Sequence, residues 1–435
     1  MTSEVLEEEW RMLVSMLPSD LERCAQETGA VRRRREVRGG EQLLRLAFAY
    51  GWCNLSLRST ALWAQERNLA ELSDVALLKR LRGATEFLAR LLTEKLAERT
   101  QLPSLGAGAE ATRRRNRRVR LVDATSVCRP GASGTDWRIH LGFDLVGLRI
   151  DHAQLTDASG GETLARLPVE SGDLVVADRG YSHRRGIVAV VQAGGDLVVR
   201  MTWHNVPLLD EQGHSFSILS ALRSLAPGEL AEFAVQTASD PKQGLPAVRG
   251  RLIALAKSPQ QAEAARRELR KQAKKKGKTP SAQTLEAAGY VFVFTTVAAE
   301  ELDAWDVLEL YRFRWQVEMA FKRMKGLLAL DELAAKDEQL CRSVLLTKLL
   351  GALLVEELSG DAIEAVALSP WGYGTPRPRD VALEGLPSRS QYRASGRRRR
   401  LDPGAVAQAR LSLGRRHLRT AAPATEPSPP SLTSL

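Results

Sequence analysis

Residues 119–155 carry the sequence pattern that decides the fold class. Three extended segments, VRLVDAT (119–125), WRIHLGFDL (137–145) and LVGLRIDHAQL (145–155), are separated by Gly, Ser and Asp turn residues, which predicts an antiparallel meander. Helical and strand patterns alternate after them, so the order is three strands, helix, strand, helix, strand, as in an α/β fold. The later segments are GGETLARL (160–167), DLVVAD (173–178), SHRRGIVAVVQAGG (182–195) and DLVVRMT (196–202).

The pattern changes on either side of this region. Residues 1–105 have apolar residues at three- and four-residue spacing, which predicts helices throughout. From about 205 to 289, short alternating segments precede a charged helix, which is typical of an insertion. The strand YVFVFTT (290–296) then resumes the core, and one long helix is predicted over 299–330. Beyond about 368, Pro, Ser and Arg dominate, which indicates a disordered tail.

The chain of 435 residues is basic, since 63 Lys and Arg against 52 Asp and Glu give a formal net charge of +11. Its 44% hydrophobic residues are typical of a globular protein, and a basic surface favours a polyanionic partner such as nucleic acid. Four scattered cysteines without a CxxC pair argue against a zinc module or a disulfide framework. No run suits a membrane helix and the first ten residues are acidic, so we expect a cytoplasmic, nucleoid-associated protein that binds no membrane.

Two basic features predict contacts with DNA. Residues 56–82 have the outline of a helix-turn-helix, which makes Arg80 and Arg82 on its second helix candidate DNA contacts. Helix pairs of this outline also occur in bundles that bind no DNA. The basic run 113–120 adjoins the first strand of the meander, where we expect it to contact phosphate.

Three carboxylates fall where chemistry could use them. Asp123 follows the apolar end of the first strand, Asp178 ends DLVVAD, and Glu318 lies in the long predicted helix. Converging carboxylates are suitable ligands for Mg²⁺, and two such ions about 4 Å apart would activate water and stabilise the leaving oxygen of a phosphodiester. Each acid also fits a plainer role, the aspartates as turn formers and Glu318 as an ion-pair partner of Arg314 or Lys322.

The long predicted helix places four chemically distinctive residues on one face. At roughly 100° per residue, Tyr311, Arg314, Glu318 and Lys325 project in similar directions. A face combining an acid, two cations and a phenol suits a site that grips nucleic acid next to a metal ion.

The spacing Tyr311-x2-Arg314-x3-Glu318-x6-Lys325 resembles the signature of insertion sequence family four, a group of bacterial DDE transposases. LVDAT (121–125) and VADRGY (176–181) resemble the segments around that family's first and second catalytic aspartates. The resemblance implies that Asp123, Asp178 and Glu318 are catalytic and bind two Mg²⁺ ions, with Mn²⁺ able to substitute. It implies that Tyr311, Arg314 and Lys325 hold the transposon end, and Lys322 and Arg179 are further candidate DNA contacts.

The resemblance also implies the fold and the activity. The expected fold is an RNase H-like core, with a mixed five-stranded sheet and flanking helices, interrupted by a mainly β insertion domain and preceded by an all-α domain. The expected activity is cut-and-paste transposition: metal-dependent cleavage at terminal inverted repeats of double-stranded DNA and strand transfer to a target, by a homodimer in a synaptic complex. The expected domains are a helical DNA-binding domain (1–108), the core in two parts (109–204 and 290–368), a β-rich insertion with a basic helix (205–289), and a basic tail (369–435).

One position departs from the family pattern. Relatives commonly carry a Trp just before the resumed strand, where it stacks on a base flipped from the hairpin intermediate; this chain has Tyr290 there. Tyr290 could stack on a base or pack in the core, and Trp203 is a second stacking candidate.

Two other functions remain open from the sequence. One is a nuclease of the same core that cuts DNA without strand transfer. The other is a catalytically inactive DNA-binding protein derived from a transposase.

Overall fold

A mixed sheet organises the described part of the chain, with ten strands in the order β3-β2-β1-β4-β5-β10-β9-β8-β6-β7. The computed structural model describes residues 3–17, 20–32, 34–53, 55–101, 117–132, 134–145, 147 and 149–358. The predicted tail and residues 113–116 of the basic run lie outside the described residues. The strands are β1 (Val119–Val127), β2 (Trp137–Asp144), β3 (Arg149–Asp157), β4 (Leu174–Ala177), β5 (Asp196–Arg200), β6 (Leu208–Leu209), β7 (Ser215–Phe216), β8 (Leu230–Thr237), β9 (Arg249–Ala256) and β10 (Tyr290–Thr295).

The first five strands have the arrangement that the sequence pattern predicts. β1, β2 and β3 form an antiparallel meander, in which Leu141 of β2 lies between Asp123 of β1 and Ala153 of β3. β4 pairs with β1 and β5 pairs with β4, both in parallel. All four residues of β4 are buried, as expected for a parallel strand covered on both faces. The predicted meander and the two strands after it are therefore confirmed.

The sheet does not end at the five predicted strands. β10 pairs antiparallel with β5, and β9 and β8 continue from β10, so residues between 205 and 289 add strands to the same sheet. The physical reason is that β5 would otherwise leave a row of unpaired backbone N–H and C=O groups. β10 satisfies them and is itself apolar on both faces, with residues 291–295 all buried.

Helices cover the sheet and form the N-terminal region. The last of them packs back on the first ones: the hydroxyls of Thr85 and Ser343 lie 2.8 Å apart, and Lys95 Nζ lies 2.9 Å from a carboxylate oxygen of Glu357. None of the helices within the described residues combines the length and the apolar character needed to cross a membrane. The described helices are α1 (Ser3–Ser15), α2 (Leu21–Glu27), α3 (Gly40–Gly51), α4 (Leu57–Glu66), α5 (Asp74–Gly83), α6 (Thr85–Gln101), α7 (Arg184–Gln192), α8 (Ile218–Leu222), α9 (Pro259–Lys275), α10 (Ala282–Ala287), α11 (Ala304–Arg312), α12 (Trp315–Leu328) and α13 (Glu338–Leu358).

The prediction of one long helix over 299–330 is wrong, because α11 and α12 are separate helices. The N–H groups of Phe313 and Arg314 donate to the carbonyls of Leu310 and Tyr311, which are three residues back rather than four. This tighter bonding interrupts the α-helical ladder. The break lies in the middle of the predicted site, between Tyr311 and Glu318.

The described part of the basic run is neutralised inside the protein, so its predicted contact with phosphate is wrong there. Arg117 lies 2.6 Å from a carboxylate oxygen of Asp196 and 2.8 Å from one of Glu301. Arg118 binds Asp173 through two 2.8 Å hydrogen bonds. Arg120 is fully buried, and its Nε lies 2.6 Å from Asp151.

The meander contains two histidines that should make stability depend on pH. Burial lowers the pKa of His152 in β3 and of His140 in β2 to about 4. Because the folded-state pKa lies below the unfolded value of about 6.5, the stability they contribute is present above pH 6.5 and is lost as pH falls towards 4. We expect His152→Gln to recover about 2 kcal/mol of the loss in unfolding free energy between pH 7 and pH 4.5. Urea unfolding followed by Trp fluorescence measures this, and equal losses in both proteins would contradict it.

Candidate active site

The two aspartates stand side by side at one edge of the sheet. The parallel register pairs Val122 of β1 with Ala177 of β4, so Asp123 and Asp178 are the next residues on neighbouring strands. Adjacent strands are about 4.8 Å apart, which brings the two carboxylates to the same point. Asp178 ends the strand and begins a short 3₁₀ turn. From the sequence, this meeting depends on whether the two strands are neighbours in one sheet, and β1 and β4 are neighbours.

Tyr311 connects the end of α11 to this edge. Its side chain is fully buried, and its hydroxyl donates a hydrogen bond to Asp178 Oδ1 at 3.1 Å. Burial and the charge of Asp178 raise the pKa of Tyr311 to about 12, so the phenol keeps the proton that it donates. Tyr311 therefore orients Asp178 through this hydrogen bond.

Arg314 lies between the helix and the two aspartates. Its Nη2 donates to Glu318 Oε1 at 2.5 Å, and its side chain is only 12% exposed. Burial alone would lower the pKa of Arg314, but the acidic groups around it, including Asp178 and Glu318, raise it above its usual value. Its Nε is buried and has no hydrogen-bond partner among the described residues.

The pKa values of the two aspartates are shifted in opposite directions. Burial raises the pKa of Asp123 to about 7, against the opposing charge of Arg314. Burial would also raise the pKa of Asp178, but the charges of Arg314 and Arg200 lower it below its usual range. Burial therefore outweighs the charge of Arg314 at Asp123, whereas the charges of Arg314 and Arg200 outweigh burial at Asp178.

The donor set fits a divalent metal ion. Carboxylate oxygens are the ligands that Mg²⁺ prefers, and a divalent cation would compensate the charge that burial makes costly on Asp123. Within the described residues, no three His, Cys, Asp or Glu side chains are yet grouped closely enough to hold an ion, and Glu318 is bound to Arg314. For Glu318 to bind a metal ion, it would therefore have to give up its hydrogen bond with Arg314.

Comparison with known proteins identifies the family of this chain. Residues 114–354 match the family model described as the transposase DDE domain. The chain belongs to the DDE transposases of insertion sequences. It is 37% identical over 344 residues, 78% of this chain and 90% of the relative, to the putative transposase InsL for insertion sequence element IS186A of Escherichia coli K12. It is 36% identical to the transposase for insertion sequence element IS421 of Escherichia coli, over 78% of this chain and 91% of the relative.

Other residues predicted to bind DNA in this transposase have different surroundings. Lys322 is exposed on α12, and its Nζ lies 3.5 Å from the sulfur of Met319. Lys325 Nζ lies 3.7 Å from Asp331, and Arg82 of α5 binds Asp337. Arg82 is therefore already paired with an acid.

The connection between α4 and α5 is seven residues long, longer than the tight turn of a helix-turn-helix. Arg80 is half-buried on α5, and Arg179 is exposed directly after Asp178.

The two stacking candidates both lie against the transposase core. Tyr290 is the first residue of β10 and is half-buried, and Trp203 follows β5 and contacts the ring of His204. Both pack partly against the buried cluster of the sheet.

The sequence interpretation missed Arg200, the last residue of β5, which lowers the pKa of Asp178. Its position at the end of a strand parallel to β4 is the signal that could have found it.

Proposed function

We propose that this transposase works by cut-and-paste transposition through an RNase H-like catalytic core in which Asp123, Asp178 and Glu318 are the catalytic acids. The observation that carries the proposal is that Asp123 and Asp178 lie next to each other on neighbouring strands, with Tyr311 bonded to Asp178 and Arg314 bonded to Glu318. These residues come from two strands and one broken helix, spread over almost 200 positions of sequence.

The strand arrangement supports the RNase H-like core. The order β3-β2-β1-β4-β5, with an antiparallel meander followed by two strands parallel to β1, is the one expected for it. We propose the domain division given by the sequence: a helical DNA-binding region to 108, the core in 109–204 and 290–368, the insertion 205–289 and a basic tail from 369.

The residues of the site have distinct proposed roles. Two divalent ions, when bound to the three carboxylates, would activate the attacking water or 3′ hydroxyl and stabilise the leaving oxygen. Tyr311 holds Asp178 in place through its hydroxyl. Arg314 compensates the acids before DNA binds and, once Glu318 has moved, is placed to contact a phosphate oxygen.

We propose double-stranded DNA as the partner, both at the element's ends and at the target, and a homodimer as the species that brings the ends together. Arg179 follows Asp178 directly, and Lys322 and Lys325 lie on the same helix as Glu318, so all three are proposed to contact the DNA backbone. Cytoplasmic, nucleoid-associated localisation follows from this function.

Strand transfer is the experiment that tests the proposal. With Mg²⁺, the purified chain is expected to join duplexes that carry the element's inverted repeat and a free 3′ hydroxyl to a target plasmid. Cleavage without joined products would favour a nuclease. Binding without cleavage, together with no Mg²⁺ or Mn²⁺ bound in a calorimetric titration, would favour the inactive DNA-binding protein.

A further inference from the structure

Four strands of the transposase end at the same edge of the sheet. β1, β4 and β5 are parallel, and β9 runs in their direction because β10 is antiparallel to both β5 and β9. Asp178 follows the carboxyl end of β4, and Asp123 lies beside it within β1. The ends of β5 and β9, and the start of β10, continue the same edge into the insertion.

This continuation carries cations and an aromatic ring. Arg200 is the last residue of β5, Tyr290 is the first of β10, and Lys257 directly follows β9. Val293 is the residue paired with Arg200, so Tyr290 and Lys257 lie further out along the strands than Arg200 does. The insertion therefore projects beyond the acids on the side of Arg200.

The cations at this edge lack acidic partners. Within the described residues, no carboxylate lies within 4.0 Å of Arg179, Arg200 or Lys257, whereas most arginines of the core are paired. Lys257 is 6% exposed, and its Nζ donates to the carbonyl of Ala288 at 2.7 Å. Burial, together with the charges of Arg200, Arg266 and Arg179, lowers the pKa of Lys257 to about 7.

A second observation at the same edge points to a ligand. Thr202 and Trp203 come one residue after the end of β5. The Thr202 hydroxyl and the Trp203 indole N–H are buried and have no hydrogen-bond partner in the described part of the chain. Buried polar groups are normally paired. An anion that has several acceptor oxygens can satisfy these two unpaired donors and bind Arg200 and Lys257, which have no carboxylate partner in the described part of the chain.

We propose that Arg200, Lys257 and Arg266 form a phosphate-binding site that holds a backbone phosphate of the DNA strand, a few nucleotides from the bond cut at the acids. This inference rests on the proposed function, because it takes the strand from the acid site along the edge towards the insertion. Arg266 belongs to the site because its side chain lies against Gly289, next to Tyr290, and donates to the carbonyl of Leu285 at 3.1 Å. Unlike Arg200 and Lys257, it has an acidic neighbour, Glu263, whose carboxylate lies 3.7 Å away on a largely exposed side chain. Tyr290 then stands beside the same strand.

The test measures binding of an end duplex without divalent metal, so that it does not depend on cleavage. The probe is the inverted-repeat DNA that flanks this reading frame, and the variants are Lys257→Met and, as a matched control, Lys271→Met on the exposed side of α9. We expect Lys257→Met to weaken binding about tenfold and to reduce the salt slope by about one. The control should bind within about twofold of the wild type.

A scan with single uncharged methylphosphonate linkages identifies the phosphate. One linkage is expected to weaken wild-type binding about tenfold and to have no effect on Lys257→Met, because the partner of that phosphate is already gone. The inference is overturned when Lys257→Met binds like the control, or when the linkage weakens both proteins equally. Where Lys257→Met fails to fold cooperatively, Arg200→Gln at its half-exposed position decides by the same two readouts. A wild type that binds ends but never joins them would refute the proposed function and leave this site standing.

Discussion

Asp123→Asn, Asp178→Asn and Glu318→Gln will each reduce DNA cleavage by about a thousandfold or more and leave binding to the element's end nearly unchanged. Each substitution keeps the size of the side chain and removes one charged oxygen ligand. Cleavage depends on that charge because the acids converge at one edge of the sheet. Binding depends mainly on cations that contact phosphate, which these substitutions leave in place.

The measurement is cleavage of a labelled end duplex in Mg²⁺, with a gel-shift assay of the same duplex. Glu300→Gln, an exposed acid outside the site, is the matched control and should cut at the wild-type rate. Full cleavage by Glu318→Gln would mean that its bond to Arg314 is structural and that Glu318 is no metal ligand. Full cleavage by either aspartate variant would remove that residue from the site in the same way.

The aspartate pair could be predicted from sequence because it depends on local patterns. An unbroken apolar run identifies a buried strand, and an acid directly after such a run on each of two neighbouring parallel strands falls at the same level of the sheet, although β1 itself continues past Asp123 to Val127. The ion pair of Arg314 with Glu318 also follows from spacing, whereas the hydrogen bond from Tyr311 to Asp178 was not predicted. The break itself could not be predicted, because the segment around Phe313 and Arg314 contains no Gly or Pro and its apolar spacing is that of a continuous helix.

The features that could not be predicted from the sequence depend on contacts between residues far apart along the chain. The basic run resembled a surface for phosphate because its neighbours in sequence are also basic. Its partners, Asp151, Asp173 and Asp196, lie tens of residues downstream and reach it only through strand pairing. The extension of the sheet through β10 has the same origin, since nothing in a strand's own sequence says which edge it will cover.

Asp173→Asn is expected to lower the free energy of unfolding by about 3 kcal/mol or more. Asp173 is 3% exposed and accepts two hydrogen bonds from Arg118, and its Oδ2 lies 3.5 Å from the fully buried Arg120. The amide of Asn keeps the shape but leaves two guanidinium groups with reduced compensation in a region closed to water. Uncompensated buried charge is among the largest single causes of lost stability.

Urea unfolding measures the loss of unfolding free energy in Asp173→Asn and in the control Glu94→Gln. The comparison distinguishes the effect of a buried ion pair from that of an exposed one. Glu94 also binds an arginine, Arg90, but both side chains are 38% exposed, so we expect that variant to lose less than about 1 kcal/mol. Similar losses in the two proteins would show that enclosure of the Asp173 network contributes nothing. Asp173 precedes β4 and Asp178 follows it, so the network supports the end of the strand opposite the acids. Folded Asp173→Asn should therefore still cut DNA, which distinguishes a role in holding β1 and β4 together from a role in catalysis.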